Sequence, residues 1–342
     1  MKKVVSFGEI MLRLATPNYQ RFVQAESFEA TYGGGEANVA VSLAHFGLDS
    51  TFITAVPDND IGQAAVNHLR RFGVSIKSVL RVKDSRLGIY FLETGASQRA
   101  SQVIYDRSLS AIASIKEGVF DWEEIFAGGA SWFHFTGITP ALGDRVAAET
   151  LRACRIAKQH GLTVSCDLNY RKKLWTRDKA QAVMTGLMDY VDLIVANEED
   201  AEMVFGIKAK HTDIVKGTID DQGYREVARE LKEKFDLQHV AITLRESLSA
   251  SENGWSGLLY DGKEFYKSRR YLVHIVDRVG GGDAFAGGLI YALLKEFSPQ
   301  EALEFATAAS CLKHTVHGDF NMIKASEVMQ LAAGDESGRV QR

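Results

Sequence analysis

Short strand-like runs alternate along this chain with longer segments whose apolar residues recur at helical spacing, and this alternation limits the fold more than any other feature. After Glu36, for example, Val39, Leu43 and Phe46 recur at that spacing, and Gly47 lies where a left-handed residue would end a helix. The strand-like runs lie at residues 3–7, 51–55, 163–167, 192–195 and 240–243. This order of elements predicts a parallel sheet covered by helices.

Two stretches depart from the alternation, at about residues 11–34 and 87–108. The second contains two strand-like pairs around a polar turn, which predicts a small β flap or lid. The chain of 342 residues has no internal repeat, low-complexity linker or shift in composition that would divide it. We therefore expect one domain over residues 1–330, which includes both lid segments, and a polar C-terminal tail at 331–342.

The charge and cysteine content argue against several classes of protein. With 40 basic and 44 acidic side chains, the formal net charge of -4 gives no general field for holding nucleic acid or an anionic membrane. Glu9 and Arg13 interrupt the apolar run near the start before it reaches signal-peptide length, and no run has the length of a membrane span. The three cysteines are far apart without metal-binding spacing, so we expect a cytoplasmic protein.

A run of three glycines at 280–282 leads through Asp283 into an apolar segment of helical character. A helix that starts there offers unpaired backbone N–H groups and the positive end of its dipole to a phosphate, and the glycines let the backbone come close. A carboxylate beside such a site is well placed to orient or deprotonate a hydroxyl that attacks a phosphoryl group. The run therefore indicates phosphoryl transfer to an alcohol.

The same run has simpler readings. Three glycines also form plain tight turns, and Asp283 could merely cap the helix. A dinucleotide site is disfavoured because the run is not GxGxxG and comes late in the chain instead of following the first strand. The Walker pattern that ends in GKS or GKT is absent from the sequence.

Two motifs together resemble those of the ribokinase-like (PfkB-type) carbohydrate kinases. Residues 277–285 read DRVGGGDAF and resemble the C-terminal signature of that family, with Gly281 where the pattern usually has alanine. Residues 33–40 read GGGEANVA and resemble its N-terminal motif on the sugar side. The order of elements is similar to about residue 325. The resemblance implies a three-layer α/β/α sandwich with a central, mostly parallel sheet and a small β-sheet lid.

The resemblance also implies a mechanism and its cofactors. Asp283 would accept the proton of the substrate's primary hydroxyl, and the amides of Gly280, Gly281 and Gly282 would form an anion hole for the transferred group. ATP and Mg²⁺ would be the cofactors. Whether a monovalent cation such as K⁺ is needed beside Asp277 stays open.

Two further strings narrow the resemblance to the 2-keto-3-deoxygluconate kinases. Residues 133–140 read FHFTGITP and residues 167–175 read DLNYRKKLW. In those enzymes the substrate's carboxylate side is held by residues that match Tyr105, Arg107 and Arg171 here. An arginine fork suits a carboxylate because it makes two charge-assisted hydrogen bonds. Otherwise Arg171 is an exposed cation after a strand, and Arg107 pairs with its neighbour Asp106 on the surface.

Other residues are implied on the sugar side. Gly34 and Asn38 would meet sugar hydroxyls, and Tyr90 would touch substrate from the flap. Residues 317–321 read HGDFN and resemble an element whose aspartate, here Asp319, faces substrate. The simpler readings are a polar residue in a first helical turn for Asn38, strand packing for Tyr90 and a turn for the HGDFN segment.

The nucleotide side matches the family less well. Residues 197–200 read NEED and resemble an NxxE element that arranges magnesium and phosphate indirectly, with Asp200 in the usual glutamate position and Glu199 sharing the role. An alternative is a charged helix start. Residues 243–250 read TLRESLSA where a glycine-containing loop is usual, so we expect a less close approach of the backbone to the phosphates. The implied ATP-binding residues are Asn169, Arg171, Asn197, Thr243, Arg245, Gly280 and Gly282.

The partners that follow are a small sugar acid and ATP. A lid that closes over them would exclude water, since hydrolysis of ATP would otherwise compete with transfer. Exposed lid strands often pair between subunits, so we also expect a homo-oligomer formed through the lid. The alternatives are a fructokinase, a nucleoside kinase, a 5-keto-2-deoxygluconate kinase or a non-catalytic sugar-acid sensor on the same fold.

Overall fold

A computed structural model describes residues 2–197, 199–208, 221–335 and 338. Half of the predicted tail at 331–342, residues 336–337 and 339–342, and Glu198 of the NEED segment therefore lie outside the described residues. The strands are β1 (Lys3–Phe7), β2 (Met11–Ala15), β3 (Glu29–Gly33), β4 (Asp49–Ile53), β5 (Ala55–Pro57), β6 (Leu80–Val82), β7 (Gly88–Glu93), β8 (Gln102–Asp106), β9 (Ala130–Thr136), β10 (Thr163–Asp167), β11 (Leu193–Ala196), β12 (His239–Ser247), β13 (Glu252–Tyr260), β14 (Phe265–Lys267) and β15 (Tyr271–His274).

The helices connect the strands in the alternating order that the sequence predicts. The α-helices are α1 (Gly35–His45), α2 (Asp60–Arg71), α3 (Trp122–Ala127), α4 (Ile138–Ala141), α5 (Asp144–Gln159), α6 (Arg177–Met188), α7 (Asp200–Phe205), α8 (Asp221–Phe235), α9 (Gly281–Leu294), α10 (Pro299–Lys313) and α11 (Ala325–Ala332). Gly47 follows α1 with a φ of 85°, which confirms the predicted left-handed residue at that helix end.

The central sheet has the strand order β14-β13-β12-β11-β10-β9-β1-β4, with β15 paired to β13. The strands from β12 to β4 are parallel, and β13 to β15 extend the sheet with antiparallel pairs. The sheet is thus mostly parallel, as predicted. The predicted run at 51–55 is divided, because β4 stays in the central sheet whereas β5 leaves it to pair with β6.

Helices cover both faces of this sheet. Successive residues of β1 show the alternation: Val4 packs in the cluster formed with α1, α9, α10 and α11, whereas Val5 packs in the cluster formed with α3, α5, α6 and α8. Both valines are fully buried. The predicted three-layer α/β/α sandwich is therefore confirmed.

A second, four-stranded sheet has the order β3-β2-β7-β8. Its strands come from the two stretches that depart from the alternation, so the predicted small sheet is present. The outer strands are β3 and β8, and the middle pair, β2 and β7, is parallel. We refer to this four-stranded unit as the small sheet.

The glycine-poor segment after Thr243 is a strand instead of a loop. β12 runs on to Ser247 and pairs antiparallel with β13 up to Asn253. The glycine-free residues of this segment adopt the extended backbone of a strand, and the neighbouring strand satisfies their backbone hydrogen-bonding groups. The structure thus forms a long hairpin at the place where the resembling family usually has a glycine-containing loop.

Cys154, Cys166 and Cys311 are buried free thiols. No helix in the described ranges has both the length and the apolar character that crossing a membrane requires.

Candidate active site

A cleft of about 440 Å³ lies where the parallel strands end, between the central sheet and the small sheet. Asp167 is the last residue of β10, and Asn197 follows the last residue of β11. Both line the cleft, as do Tyr90 and Tyr105 from the small sheet. Ligands of α/β proteins bind at this edge because the loops beyond the carboxyl ends of the strands meet there.

The glycine run forms the N-terminus of α9 at the base of this cleft. Gly280 caps the helix with a φ of 84°, a left-handed conformation that glycine adopts without strain. A Cβ atom on Gly280 would lie 2.0 Å from the carbonyl oxygen of Asp319, and one on Gly281 would lie 2.4 Å from Cε1 of His314. The His314 ring therefore leaves no room for the alanine that the family pattern usually has at position 281.

Asp283 lies in the first turn of α9 and faces the cleft. Asn38 Nδ2 donates to Asp283 Oδ2 at 2.6 Å, while Asn38 Oδ1 accepts from the Gly34 amide at 3.2 Å. Burial of the carboxyl group raises the pKa of Asp283 to about 7, and the Asn38 hydrogen bond opposes this rise. A carboxylate of this kind is suited to accept a proton near neutral pH. Asn38 thus holds the candidate base, a contact that the sequence did not indicate.

Two more carboxylates lie at the strand ends. Asp200 accepts from the amides of Tyr170 at 3.0 Å and Asn197 at 3.3 Å. Burial raises the pKa of Asp167 well above its usual range, and the negative charges of Asp200 and Asp283 add to the effect. Acidic groups that repel one another in this way favour a cation between them.

Cations face the same cleft. Arg171 Nη1 donates to the carbonyl oxygen of Tyr170 at 3.0 Å, and the positive charge of Arg171 lowers the pKa of Asp283 against the larger effect of burial. Arg278 Nη2 donates to the Ala250 carbonyl oxygen at 2.9 Å, while its buried Nε has no hydrogen-bond partner in the described part of the chain. Burial lowers the pKa of Arg278, and the nearby charge of Arg245 lowers it further. Two cations that repel each other in one cleft favour an anion between them.

Arg107 lies at the edge of the small sheet and is only 8% exposed. Its Nε donates to Glu9 Oε2 at 2.8 Å, and its Nη2 bonds to the same oxygen. Asp106 instead pairs with Arg86 at 2.6 Å, so the surface pair of neighbours that the sequence left open is not formed. The Arg107 guanidinium also lies 5.5 Å from the centre of the Tyr105 ring. Arg107 therefore lines the cleft with its charge already balanced.

Arg13 joins the small sheet to the loop before α9. Its Nη2 lies 2.5 Å from Asp277 Oδ2 and its Nη1 lies 2.6 Å from Asp319 Oδ1. The Tyr90 hydroxyl donates to Asp319 Oδ2 at 2.5 Å. Arg13 is 1% exposed, so this network is shielded from solvent. Both carboxylate oxygens of Asp319 already have partners within the protein.

The comparison with known families is decisive here. A model described as pfkB family carbohydrate kinase matches residues 1–325. The chain belongs to this family. A solved structure of a 2-dehydro-3-deoxygluconokinase from Thermotoga maritima is 51% identical, covers 98% of this chain and 100% of its own, and superposes with a TM-score of 0.94.

Two relatives are similar over nearly their whole length. A 2-dehydro-3-deoxygalactonokinase from Haloferax volcanii is 31% identical over 336 residues, which is 98% of each chain. A 2-dehydro-3-deoxygluconokinase from Bacillus subtilis is 26% identical over 325 residues, 94% of this chain and 93% of its own. The chain is accordingly an ATP-dependent sugar kinase.

The kinase brings nearly all of its sequence-predicted site residues to one cleft. Glu199 is the exception, since it is exposed at the start of α7 and does not line the cleft. The predicted residues that line it are Gly34, Asn38, Tyr90, Tyr105, Arg107, Asn169, Arg171, Asn197, Asp200, Thr243, Arg245, Gly280, Gly281, Gly282, Asp283 and Asp319.

Several residues of the site were missed in the sequence. Asp167 could have been identified from the sequence, because it is the last residue of a predicted strand and lies at the edge of the sheet where ligands bind. Arg278 lies two positions before the first glycine of the run, which could also have marked it. Arg13 and His314 had no signal, since the site residues that they meet are distant in the sequence: Arg13 and Asp319 are 306 positions apart, and the His314 ring lies against Gly281.

Proposed function

We propose that this kinase transfers the γ-phosphoryl group of ATP to the primary hydroxyl of a sugar acid. The best candidate is 2-keto-3-deoxy-D-gluconate, also called 2-dehydro-3-deoxygluconate, with its 6-phosphate as product. The observation that carries this proposal is the Asp283 carboxylate, which Asn38 holds beside the N-terminus of α9 in a cleft lined by arginines. The names of the Thermotoga and Bacillus relatives support the choice of substrate.

The transfer step requires a base and an anion hole. The ionised Asp283 accepts the proton of the hydroxyl group as the oxygen attacks the γ-phosphorus, and ADP leaves from the opposite side. Gly280, Gly281 and Gly282 line the cleft at the positive end of the α9 dipole, where their amides would stabilise the negative charge that develops on the transferred group. In the free protein the Gly281 amide donates to the Arg278 carbonyl oxygen at 3.3 Å. With its pKa raised to about 7, Asp283 can take both its protonated and its ionised form near neutral pH.

The acidic side of the cleft offers two carboxylates to magnesium, although the described ranges contain no cluster of three or more metal-ligating side chains. Mg²⁺ usually takes one or two carboxylates from the protein and its remaining ligands from phosphates and water. Asp200 and Asp167 are the carboxylates that line the cleft, and Asp200 would act directly or through water. The predicted share of Glu199 has less support, because this residue is exposed and does not line the cleft. The ion would neutralise charge on the nucleotide phosphates.

The arginines divide between the two substrates. Because Arg107 is already paired with Glu9, Arg171 is the stronger candidate for the carboxylate of the sugar acid. Arg171 also adjoins the nucleotide side, where Asn169, Asn197 and Thr243 line the cleft. Arg245 and Arg278 would bind the phosphates in place of a glycine-rich loop.

A substrate panel tests the proposal. The rate of ATP consumption is measured with 2-keto-3-deoxygluconate, 5-keto-2-deoxygluconate, fructose and ribose. We expect kcat/KM for 2-keto-3-deoxygluconate to exceed that for fructose by roughly 100-fold or more, because fructose has no carboxylate to pair with the half-buried Arg171. A preference for fructose or ribose would contradict the proposal. Binding of the acid without any ATP consumption would favour the non-catalytic sensor.

A second candidate substrate is the C4 epimer, 2-keto-3-deoxygalactonate. The 31% identical Haloferax relative is named for that sugar acid. The same assay with both epimers decides between them, since they differ only in the direction of one hydroxyl group.

We also propose a homo-oligomer formed through the small sheet. Its edge strands are unpaired to other strands in the described part of the chain, and large apolar side chains are exposed on it, with Ile104 52% and Tyr105 40% accessible, and next to it, with Phe28 41% accessible. Light scattering should give a mass above that of one chain, and Ile104→Lys should lower it. A monomer at micromolar concentration would contradict this. The buried free thiols support a cytoplasmic location.

A further inference from the structure

Lys313 is a lysine with 0% exposure in the last turn of α10. Its Nζ donates to the carbonyl oxygen of Asp277 at 3.2 Å and to that of Val316 at 3.3 Å. Burying an ammonium group is unfavourable unless nearby groups compensate for its lost hydration. A fully buried lysine bound to two carbonyl oxygens therefore requires an explanation beyond packing.

The surroundings of Lys313 are acidic. Burial lowers the pKa of Lys313, and the carboxylates of Asp277 and Asp319 oppose that effect, with Asp283 contributing less. Arg13 is the other cation of this cluster and is bonded to Asp277 and Asp319. The carboxylates of the cluster thus favour a charged ammonium group at this position.

Lys313 also contacts the anion hole itself. A Cβ atom on Gly280 would lie 3.3 Å from Lys313 Cε, so the lysine side chain lies directly behind the glycine that caps α9. Asp277, whose carbonyl oxygen Lys313 holds, accepts from the Val279 amide through Oδ1 at 3.1 Å. The ammonium group therefore fixes one end of the loop that presents the amides of Gly280 and its neighbours.

This place beside Asp277 is where the resemblance left open a monovalent cation. K⁺ binds to oxygen atoms, and the carbonyl oxygens of Asp277 and Val316 with the Asp277 carboxylate would be suitable ligands. Two of these three groups already bind the Lys313 ammonium. A separate ion would have to displace a buried charge of the same sign, so the residues present do not fit K⁺.

We propose that the Lys313 ammonium group takes the place of a monovalent cation behind the anion hole, so that this kinase works without K⁺. Lys313 is a positioning residue, since it acts through the loop from Asp277 to Gly280. The kinetic part of this proposal rests on the proposed kinase function, whereas its ion-binding part does not.

The first test uses the unaltered protein. Its thermal midpoint and its kcat are measured in KCl, NaCl and tetramethylammonium chloride at equal ionic strength. We expect the midpoint to be the same in all three salts and kcat to vary by less than about twofold, since the charge is covalently attached. A specific rise of the midpoint in KCl, or a kcat at least tenfold higher there, would overturn the proposal.

The second test compares two variants of the same residue. Lys313→Ala removes both the ammonium group and its chain, which opens a space lined by carbonyl oxygens. Lys313→Met fills most of that space without the charge. We expect KCl or NH₄Cl to raise the thermal midpoint of Lys313→Ala but not that of Lys313→Met. In both variants kcat should fall roughly 10- to 100-fold with little change in KM, and NH₄⁺ should restore it only in Lys313→Ala.

The control is Lys116→Met, which removes an exposed lysine and should respond to no cation. Equal responses of all variants to KCl, or no response of a folded Lys313→Ala to any cation, would refute the proposal. If Lys313→Ala does not fold, the unaltered protein and Lys313→Met still decide the matter through their salt dependence. Loss of activity on every sugar would refute only the kinase function, because the thermal measurements report ion binding independently.

Discussion

The two ends of the cleft are built differently. At the α9 end, short hydrogen bonds hold the acidic side chains. Asn38 bonds to Asp283 at 2.6 Å, and Arg13 bonds to Asp277 and Asp319 at 2.5 and 2.6 Å. At the β12 end, the usual glycine loop is replaced by a strand that runs to Ser247. There the buried Nε of Arg278 has no hydrogen-bond partner among the described residues.

This difference predicts that residues at the α9 end act in the chemical step and that residues at the β12 end bind ATP. The α9 end is organised before any ligand arrives, because its charges already have protein partners. At the β12 end, Arg245 and Arg278 lie close enough for Arg245 to lower the pKa of Arg278, an arrangement that an anion would relieve. Substitutions at the α9 end should therefore change kcat, and those at the β12 end should change KM for ATP.

The strongest test of the α9 end is Asp283→Asn. An amide of the same shape cannot accept the hydroxyl proton, so kcat should fall by roughly 100- to 10,000-fold. The dissociation constant for ATP, measured by calorimetry, should change less than about threefold, because Asp283 acts on the acceptor hydroxyl. Turnover close to that of the unaltered kinase would remove Asp283 from its role as base.

The matching test of the β12 end is Arg278→Met. Loss of a charge-assisted phosphate contact should raise KM for ATP roughly 10- to 100-fold and leave kcat within a few fold. Arg278→Lys should be intermediate, since it keeps the charge but not the fork. Arg145→Met, which removes an exposed arginine, is the control. A fall in kcat with KM unchanged would show that the two ends do not divide the work in this way.

Between the two ends, Arg171→Ala tests which substrate this arginine binds. We expect KM for the sugar acid to rise roughly tenfold or more, because a buried carboxylate loses its charged partner. KM for ATP should change less. Steady-state kinetics with each substrate varied in turn make the comparison. An unchanged KM for the sugar acid would assign Arg171 to the nucleotide side.

The smallest expected effect is a shift in pH dependence in Asn38→Ala. Asp283 must be ionised to act as a base, so kcat/KM should fall as the pH drops through its pKa of about 7. Asn38 donates to the charged carboxylate and thereby lowers that pKa. Its removal should move the acidic limb to higher pH by roughly one pH unit. A limb that stays in place or moves to lower pH would contradict the assignment.

Much of the fold followed from local patterns. The alternation of strands and helices predicted the mostly parallel sheet, and β1 and β10 were predicted at their observed bounds. Each buried strand or helix needs apolar residues at its own period, so these elements can be identified from the sequence. The long β12 was not predicted, since whether a polar, glycine-free segment forms a strand depends on its partner β13.

For the candidate site, the sequence by itself determined the residue types: a glycine run before Asp283, and arginines and carboxylates after strands. Only the tertiary structure decided which of these polar and charged side chains bond to each other. Asn38 bonds to Asp283, Arg107 to Glu9 and Arg13 to Asp319, although each pair is far apart in the chain. The physical reason is that charges pair through space at distances of a few ångströms, and no local pattern records such a pairing. Lys313 shows this most clearly, because only the fold places its ammonium group on the Asp277 carbonyl oxygen.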